Sequence, residues 1–310
     1  MKKPKILVIG SLNMDLVVQA ERSPERGETI LGEEIHFIPG GKGANQAIAL
    51  ARLGAETAMI GTVGPDSFGK DLLKALQTDR VDTSGVKVLD KGATGVASIL
   101  LAAGDNSIVV VPGANAQCLP EDLDGQEEKI READLIVLQL EIPLQTVEYA
   151  VKLAKKQGKP VLLNPAPAQT LPVELLQQVD YITPNRSELA LLAGMGRDSS
   201  LEDGMDRLLN LGVSYCITTL GAEGAAYKAK GEKLCRVEGQ NVPVVDTTGA
   251  GDAFNGGLAY ALAGKMPIAE AMIFAGQVSA LAVTKFGAQG GMPTLKEVKE
   301  HFRKPKITSQ

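Results

Sequence analysis

The chain is organised around one stretch, Val244-Val245-Asp246-Thr247-Thr248-Gly249-Ala250-Gly251-Asp252-Ala253-Phe254-Asn255-Gly256-Gly257. The apolar residues 242–245 predict a strand, the glycines at 249 and 251 a turn, and the run to Leu262 a helix. Backbone N–H groups at a helix start can converge on an anion, so the turn is a candidate phosphate site. The Asp252 carboxylate would repel a phosphate that is merely bound there. It could, however, accept the proton of a substrate hydroxyl while the backbone amides stabilise the negative charge on a phosphoryl group in transfer. The stretch therefore predicts a small-molecule kinase.

Two other interpretations of this stretch are open. A glycine-rich turn before a helix that is capped by an acidic residue needs no function at all. The dinucleotide-binding pattern GxGxxG also places glycines between a strand and a helix. Here, however, Phe254 stands where the third glycine belongs, and the acidic Asp252 opens the helix.

Composition excludes several classes of protein. The chain has 310 residues, of which 44% are hydrophobic, enough for a substantial core. No apolar run approaches the roughly 20 residues that span a bilayer, and the apolar start at Ile6–Ile9 is too short for a signal peptide. We therefore expect a cytoplasmic protein without a membrane partner.

Charge and residue counts narrow the chemistry further. The net charge of −5, without a basic block or any tryptophan, argues against nucleic-acid binding and favours a small-molecule partner. Three cysteines without a CxxC motif predict neither a disulfide framework nor a zinc site. With only His36 and His301 available, a general base must be a carboxylate or a lysine.

Short apolar strands alternate with helical patterns through most of the chain, which predicts an α/β fold with a doubly wound, mainly parallel sheet. Ligands of such sheets bind outside the carboxyl ends of the strands. The strand Ile6–Ile9 is followed by Asn13 and Asp15, and the strand at 135–140 by Glu141. These side chains are therefore candidates for binding a polar ligand, although Asn13 and Asp15 could equally satisfy a turn.

Two strand pairs interrupt this alternation. Residues 16–18 with 30–37, and 94–101 with 107–111, predict four strands without helices, hence a separate small sheet. One face of such a sheet needs cover, so it should close over a ligand, pair with another subunit, or both. We expect an α/β domain at 1–15, 39–93 and 112–310, and a β lid and dimerisation subdomain at 16–38 and 94–111.

Three further motifs precede or follow predicted helices. In Pro39-Gly40-Gly41-Lys42-Gly43-Ala44-Asn45, the glycines allow close backbone approach and Lys42 and Asn45 offer donors to hydroxyls. The spacing of residues 64–71 fits a P-loop, but Asp71 stands where the P-loop has a Ser or Thr hydroxyl. We therefore interpret Asp66 or Ser67 as a helix cap. Asn185 and Glu188 share one face of a helix start, which suits a hydrated Mg²⁺ or, alternatively, an ordinary helix N-terminus.

Together, the motifs at 10–15, 39–45, 185–188 and 246–252 resemble the ribokinase family of sugar and nucleoside kinases over essentially the whole chain. The resemblance implies a ribokinase-like fold with a β lid that dimerises, MgATP as donor, and D-ribose as acceptor at its 5-hydroxyl. It implies that Asp252 is the base and that the amides of Gly249, Ala250 and Gly251 form the anion hole. The implied sugar-binding residues are Asn13, Asp15, Gly41, Lys42, Gly43, Ala44, Asn45, Glu141 and Asp252.

The same resemblance implies the cofactor sites. The nucleotide would be lined by Asn185, Thr219, Leu220, Gly221, Ala222, Glu223, Gly224, Gly251 and Gly276. Glu188 would organise Mg²⁺, and K⁺ would bind the backbone oxygens of Asp246, Thr248, Ala282, Lys285, Gly287 and Gly291. Two positions depart from the family pattern, since relatives often have Asn or His at Gly276 and Ser at Gly291. Deoxyribose or a related sugar is the alternative acceptor, and an oxidoreductase or a non-catalytic sugar-binding protein is a more remote one.

Overall fold

The computed structural model describes residues 3–102, 105–196 and 199–302. Residues 1–2, 197–198 and 303–310 of the predicted α/β domain, and 103–104 of the predicted lid, lie outside this description. The strands are β1 Lys5–Ile9, β2 Asn13–Ala20, β3 Glu34–Gly40, β4 Glu56–Val63, β5 Asp82–Val88, β6 Gly95–Ala102, β7 Asp105–Val111, β8 Leu135–Leu138, β9 Val161–Leu163, β10 Tyr181–Ile182, β11 Tyr215–Thr219, β12 Ala225–Ala229 and β13 Cys235–Val237. The helices are α1 Lys42–Arg52, α2 Ser67–Thr78, α3 Glu127–Glu132, α4 Leu144–Lys156, α5 Val173–Leu176, α6 Arg186–Leu192, α7 Leu201–Asn210, α8 Ala250–Ala263, α9 Ile268–Ala282, α10 Ala288–Gly291 and α11 Leu295–His301.

The larger sheet has the strand order β13-β12-β11-β10-β9-β8-β1-β4-β5. Neighbouring strands from β11 to β5 run parallel, and β12 and β13 are added antiparallel at one edge. The central strands are short and apolar, and β8, with the sequence Leu-Ile-Val-Leu, is buried throughout. Such strands need cover on both faces. The predicted doubly wound, mainly parallel sheet is confirmed.

Side chains of β1 alternate between two hydrophobic cores, one on each face of this sheet. Ile6 and Val8 pack with residues of α1, α8 and α9. Leu7 and Ile9 pack with residues of α4 and α7. The strand order reverses at β1, which lies between β4 and β8. The carboxyl ends of β1 and β8 therefore flank the crevice where ligands of open α/β sheets bind.

The smaller sheet has the order β3-β2-β6-β7. Its strands extend the predicted ranges, because β2 already begins at Asn13 and β3 runs to Gly40, although β3 starts only at Glu34. On one face, Val17, Ala97 and Ile99 form a buried apolar cluster. The sheet thus starts within the motif that carries Asn13 and Asp15. Whether it acts as a separate lid domain stays a prediction.

The predicted strand at 242–245 is wrong. These residues follow the edge strand β13 as an extended segment without a partner strand in the described part of the chain. Pro243 has no N–H to donate to a ladder, and the N–H groups of Val245 and Asp246 both donate to the carbonyl oxygen of Val283. Val244 and Val245 are 62% and 63% exposed. Apolar composition here does not reflect burial in the sheet.

The helices follow the predicted pattern closely. The helix predicted to run to Leu262 is α8, which ends at Ala263. Asp66 caps α2 by accepting a hydrogen bond from the Gly69 N–H, as predicted for the segment that resembles a P-loop. In the described ranges, none of the helices has both the length and the apolar character needed to cross a bilayer.

Candidate active site

A pocket of about 800 Å³ lies at the crevice beside β1 and β8 and extends under the small sheet. It gathers residues that the sequence places more than 200 positions apart. Its walls include ten of the predicted site residues: Asn13, Asp15, Gly41, Lys42, Asn45, Glu141, Glu188, Thr248, Gly249 and Asp252. The predicted base, the predicted magnesium residue and most of the predicted sugar residues therefore face a common space, together with part of the predicted potassium site. Gly43 and Ala44, also predicted to bind the sugar, are buried in α1 and do not line the pocket.

Asp252 lies in the first turn of α8 and is 7% exposed. Gly249 caps this helix with a left-handed backbone, φ 78° and ψ 1°, a conformation that favours glycine. The Ala250 N–H donates to the Thr247 carbonyl oxygen, whereas the N–H groups of Gly249, Gly251 and Asp252 have no acceptor in the described part of the chain. The start of α8 thus offers free donors beside a carboxylate, with Ala250 already engaged.

Two amides of α1 hold the Asp252 carboxylate. Asn45 Nδ2 donates to Oδ2 at 2.9 Å, and Gln46 Nε2 donates to Oδ1 at 3.0 Å. Gln46 was not among the predicted site residues, because a glutamine in an apolar helix gives no signal by itself. Residues 45 and 46 lie one helix turn after Lys42 on the same side of α1. Lys42 and Asn45 line the pocket, and Asn45 and Gln46 contact α8 through Asp252.

Glu141 connects the segment after β8 to the start of α1. Its Oε2 accepts hydrogen bonds from Ser11 Oγ at 2.5 Å and from the Lys42 N–H at 3.1 Å. Burial alone would lower the pKa of Lys42, but the carboxylates of Asp252, Glu141, Glu188 and Asp15 raise it. Lys42 is therefore a positive charge held among acidic side chains.

Asn13 and Asp15 are adjacent on one face of β2. Asn13 Oδ1 accepts a hydrogen bond from Asn115 Nδ2 at 2.7 Å, which leaves the Asn13 Nδ2 group to donate elsewhere. Asn115, which also bonds the backbone of Leu12, is a second residue that sequence reasoning missed. No hydrogen bond to the Asp15 carboxylate occurs among the residues that the structure describes, although Asp15 is only 8% exposed. Burial, followed by the charges of Glu141 and Asp252, raises the pKa of Asp15 from 3.8 to about 7, against the effect of Lys42.

Of the predicted nucleotide residues, Asn185 and the turn from Thr219 to Gly224 follow strands β10 and β11, whereas Gly251 and Gly276 lie in helices α8 and α9. Asn185 caps α6 in a reciprocal arrangement, in which its Oδ1 accepts from the Glu188 N–H and Glu188 Oε2 accepts from the Asn185 N–H. Asn185 also pairs with Thr219, which begins the turn from β11 to the antiparallel β12. Gly276 lies in α9, which packs along α8. The ordinary helix cap that is the alternative interpretation of Asn185 and Glu188 is thus present.

Glu188 fits a role in holding a hydrated magnesium ion. Burial raises the pKa of Glu188, while its bond to the Asn185 N–H and the charge of Lys42 act in the opposite direction. One or two carboxylates with waters and phosphates commonly suffice for Mg²⁺. In the described ranges, no cluster of three or more His, Cys, Asp or Glu side chains is placed to hold a metal by itself.

The Asp246 side chain joins two of the other predicted potassium residues, Thr248 and Gly287. Its Oδ1 accepts from the Thr248 N–H and its Oδ2 from the Gly287 N–H, both at 2.8 Å. Burial opposes ionisation, but these hydrogen bonds lower the pKa of Asp246. The segment with Thr248 and the segment with Gly287 are therefore fixed together, and their carbonyl oxygens are the type of ligand a monovalent cation takes. Lys285 Nζ, by contrast, pairs with Glu297 at 2.8 Å.

Comparison with known proteins identifies the family. The chain is 43% identical over 305 residues to the ribokinase of Lactococcus lactis, covering 98% of each protein. It is 36% identical over 301 residues to the deoxyribokinase of Salmonella typhimurium, covering 96% of this chain and 98% of the relative. The solved structure of Arabidopsis thaliana ribokinase complexed with ribose and ATP superposes with a TM-score of 0.90 at 36% identity, covering 96% and 98% of the two chains. The model of the pfkB family of carbohydrate kinases matches residues 3–295, and the chain belongs to this family of sugar-phosphorylating enzymes.

Proposed function

We propose that this carbohydrate kinase transfers the γ-phosphoryl group of ATP to the 5-hydroxyl of D-ribose. One observation carries the proposal: Asp252, beside free helix N–H groups, shares a pocket with the unpaired Asp15 carboxylate and with Lys42. The pocket thus combines a base, donors for a phosphoryl group and acceptors for hydroxyls. The ribose and ATP bound to the Arabidopsis relative support the same pair of substrates.

The proposed sugar contacts follow from the unused hydrogen-bonding groups in the pocket. Asp15 accepts from ring hydroxyls, and Asn13 Nδ2 and Lys42 donate to them. Gly41, Gly43 and Ala44 keep the backbone close, and Glu141 holds the start of α1 while its second oxygen is left to accept from the sugar. A free sugar suits this site better than a sugar phosphate, because the carboxylates of Asp15 and Glu141 would repel a phosphate.

Asp252 is the proposed general base. As the sugar 5-hydroxyl oxygen attacks the γ-phosphorus, its proton moves to the Asp252 carboxylate, and the bond from phosphorus to the β-phosphate oxygen breaks. The N–H groups of Gly249 and Gly251 donate to the transferring phosphoryl oxygens. Ala250 joins them only if its bond to Thr247 opens. ADP and the sugar phosphate leave, and the proton on Asp252 passes to solvent.

The remaining predicted residues are proposed to serve the nucleotide and two cations. Asn185, the turn from Thr219 to Gly224, and Gly276 line the ATP. Glu188 would hold magnesium, which would supply positive charge beside the phosphates of ATP. The residues proposed for K⁺ are Asp246, Thr248, Ala282, Lys285, Gly287 and Gly291, and the ion would fix the orientation of the adjacent amides at the start of α8.

The small sheet is proposed to be both lid and dimer contact. One face borders the pocket through Ala97, Ile99 and Val110. Exposed apolar side chains remain on the sheet, with Val109 and Val111 at 65% and 56% exposure. Pairing with a second copy would cover them. The cytoplasmic location expected from the sequence stays a prediction.

Deoxyribose is the second candidate acceptor, and the deoxyribokinase relative is the observation that favours it. The two sugars differ by one hydroxyl, and a buried polar site that bonds this hydroxyl rejects the analogue strongly. The test is a panel assay with MgATP and D-ribose, 2-deoxy-D-ribose, D-fructose, fructose 6-phosphate and adenosine. We expect the highest kcat/KM for D-ribose. A higher value for adenosine or fructose 6-phosphate contradicts the proposed substrate, and a higher value for deoxyribose selects the second candidate.

A further inference from the structure

A series of buried amides leads from Gln139, the residue after β8, to Asp252. Gln139 Nε2 donates to Gln46 Oε1 at 2.6 Å, and Gln46 Nε2 donates to Asp252 Oδ1 at 3.0 Å. The second hydrogen of Gln46 Nε2 is directed to Asn164 Oδ1 at 3.2 Å. Gln46 and Gln139 are completely buried, and neither has a place in the chemistry proposed above.

The orientation of every amide in this series follows from Asp252. An ionised carboxylate only accepts hydrogen bonds, so Gln46 must turn its NH₂ group toward it. Gln46 Oε1 then faces Gln139, which must turn its own NH₂ group toward Gln46. A reversed Gln46 amide would place two oxygen atoms against each other at the base and two NH₂ groups at the other end.

In this arrangement two buried amide oxygen atoms have no donor among the residues that the structure describes. They are Asn45 Oδ1 and Gln139 Oε1, and both belong to amides whose NH₂ groups serve Asp252 directly or through Gln46. Unpaired buried acceptors are destabilising and therefore uncommon. Both amides thus use their NH₂ groups toward Asp252, while their oxygen atoms accept from none of the described residues.

Gly10 makes room for this series of amides. A Cβ atom at position 10 would lie 1.9 Å from Gln139 Oε1. Any side chain at this position would push the Gln139 amide away. Gly10, at the carboxyl end of β1, is thus required for the space that it leaves to the Gln139 amide and not for the backbone conformation of a turn.

We propose that Gln139 and Gln46 are positioning residues that act in series to orient the Asp252 carboxylate. Asn45 and Gln46 bind one oxygen each, which leaves the remaining lone pairs of the carboxylate directed to the substrate hydroxyl. Charged groups that act on Asp252 from other elements are Lys42, Asp15 and Glu188. The inference rests on the proposed role of Asp252 as the base.

The test compares Gln46→Met, Gln139→Met and the double variant with wild type. Methionine retains the length and shape of glutamine without its donors. Gln46→Met should lower kcat by about 10- to 100-fold, the range for a hydrogen bond to a charged group, with both KM values within about threefold. Gln139→Met should lower kcat by about 2- to 10-fold, since it removes a bond between neutral groups. The double variant should match Gln46→Met, because Gln139 acts only through Gln46.

Thr146→Val is the matched control, because it removes one buried hydrogen bond, from Thr146 Oγ1 to the Cys118 carbonyl oxygen at 2.7 Å, away from Asp252. Its kcat should equal that of wild type. Gly10→Ala displaces the Gln139 amide without changing either glutamine, so it should lower kcat as much as Gln139→Met does. This variant keeps the test available if Gln46→Met does not fold. A wild-type kcat in folded Gln46→Met overturns the inference, and so does a wild-type kcat in both Gly10→Ala and Gln139→Met. A double variant whose fold-loss in kcat equals the product of the two single losses overturns it as well. If Asp252→Asn also keeps wild-type kcat, it is the proposed base that fails.

Discussion

Replacing Asp15 by Asn should remove a pH-dependent loss of stability. The pKa of Asp15 is about 7 in the folded protein, against the ordinary value of 3.8, because burial and the charges of Glu141 and Asp252 oppose ionisation. Because the folded state holds this proton more tightly than the unfolded state, the contribution of Asp15 to stability is fully present below pH 3.8. It is lost as the pH rises through about 7. At 1.36 kcal/mol for each pKa unit, the total loss is about 4 kcal/mol.

Urea unfolding of the protein without substrates measures this effect. Between pH 5 and pH 8, the wild-type free energy of unfolding should fall by about 2–3 kcal/mol more than that of Asp15→Asn. Asp90→Asn, which changes an exposed carboxylate, is the control and should follow wild type. Parallel pH curves for wild type and Asp15→Asn would refute the reasoning.

The same carboxylate should link sugar binding to pH. Hydroxyls that donate to Asp15 favour its ionised form, so D-ribose binding should release a proton below about pH 7. Wild-type affinity for D-ribose should therefore increase as the pH rises toward 8, whereas the affinity of Asp15→Asn should be lower and nearly independent of pH. Titration calorimetry in buffers of different ionisation enthalpy measures the released proton. A pH-independent wild-type affinity would show that Asp15 does not accept from the sugar.

Three further predictions concern the base, the cation and the assembly. Asp252→Asn should lower kcat by about 10²–10⁴-fold and change nucleotide affinity only a few-fold, and steady-state turnover near wild type would exclude it as base. Activity should rise when K⁺ replaces tetramethylammonium at constant ionic strength, since the segments joined by Asp246 flank the start of α8, and an unchanged rate would exclude this role. In sedimentation at micromolar concentration the protein should be a dimer, because pairing would cover Val109 and Val111, and a fully active monomer would contradict the lid contact.

The order of strands and helices could be predicted because their signals are local. Buried strands such as β8 are short apolar runs, and α8 begins directly after glycines at 249 and 251. The exposed Val244 and Val245 show the limit of this approach. An apolar run indicates a strand only if a partner strand is available, and that depends on the tertiary structure.

The site was predictable where a motif carries its own chemistry. Asp15, Lys42 and Asp252 are charged residues in glycine-rich or strand-terminal segments, and all three line the pocket. Gln46 and Asn115 escaped detection because their function depends on contacts with residues 206 and 102 positions away. A neutral amide in a helix or loop has no distinguishing pattern until its distant partner is known.

A closed series of contacts explains why motifs far apart in the chain must be placed together. At its first turns α1 holds the Asp252 carboxylate, and at its last residue Arg52 donates to the carbonyl oxygens of Gln289 and Met292 at 2.5 and 3.0 Å. Asp79 fixes the Arg52 guanidinium through two further bonds of 2.8 and 2.9 Å. The segment bound by Arg52 includes α10, whose first residue lies so close to Gly249 that a Cβ there would come within 2.8 Å of it. Because Gly249 starts the helix that carries Asp252, a shift at either end of α1 moves the base relative to its amide donors.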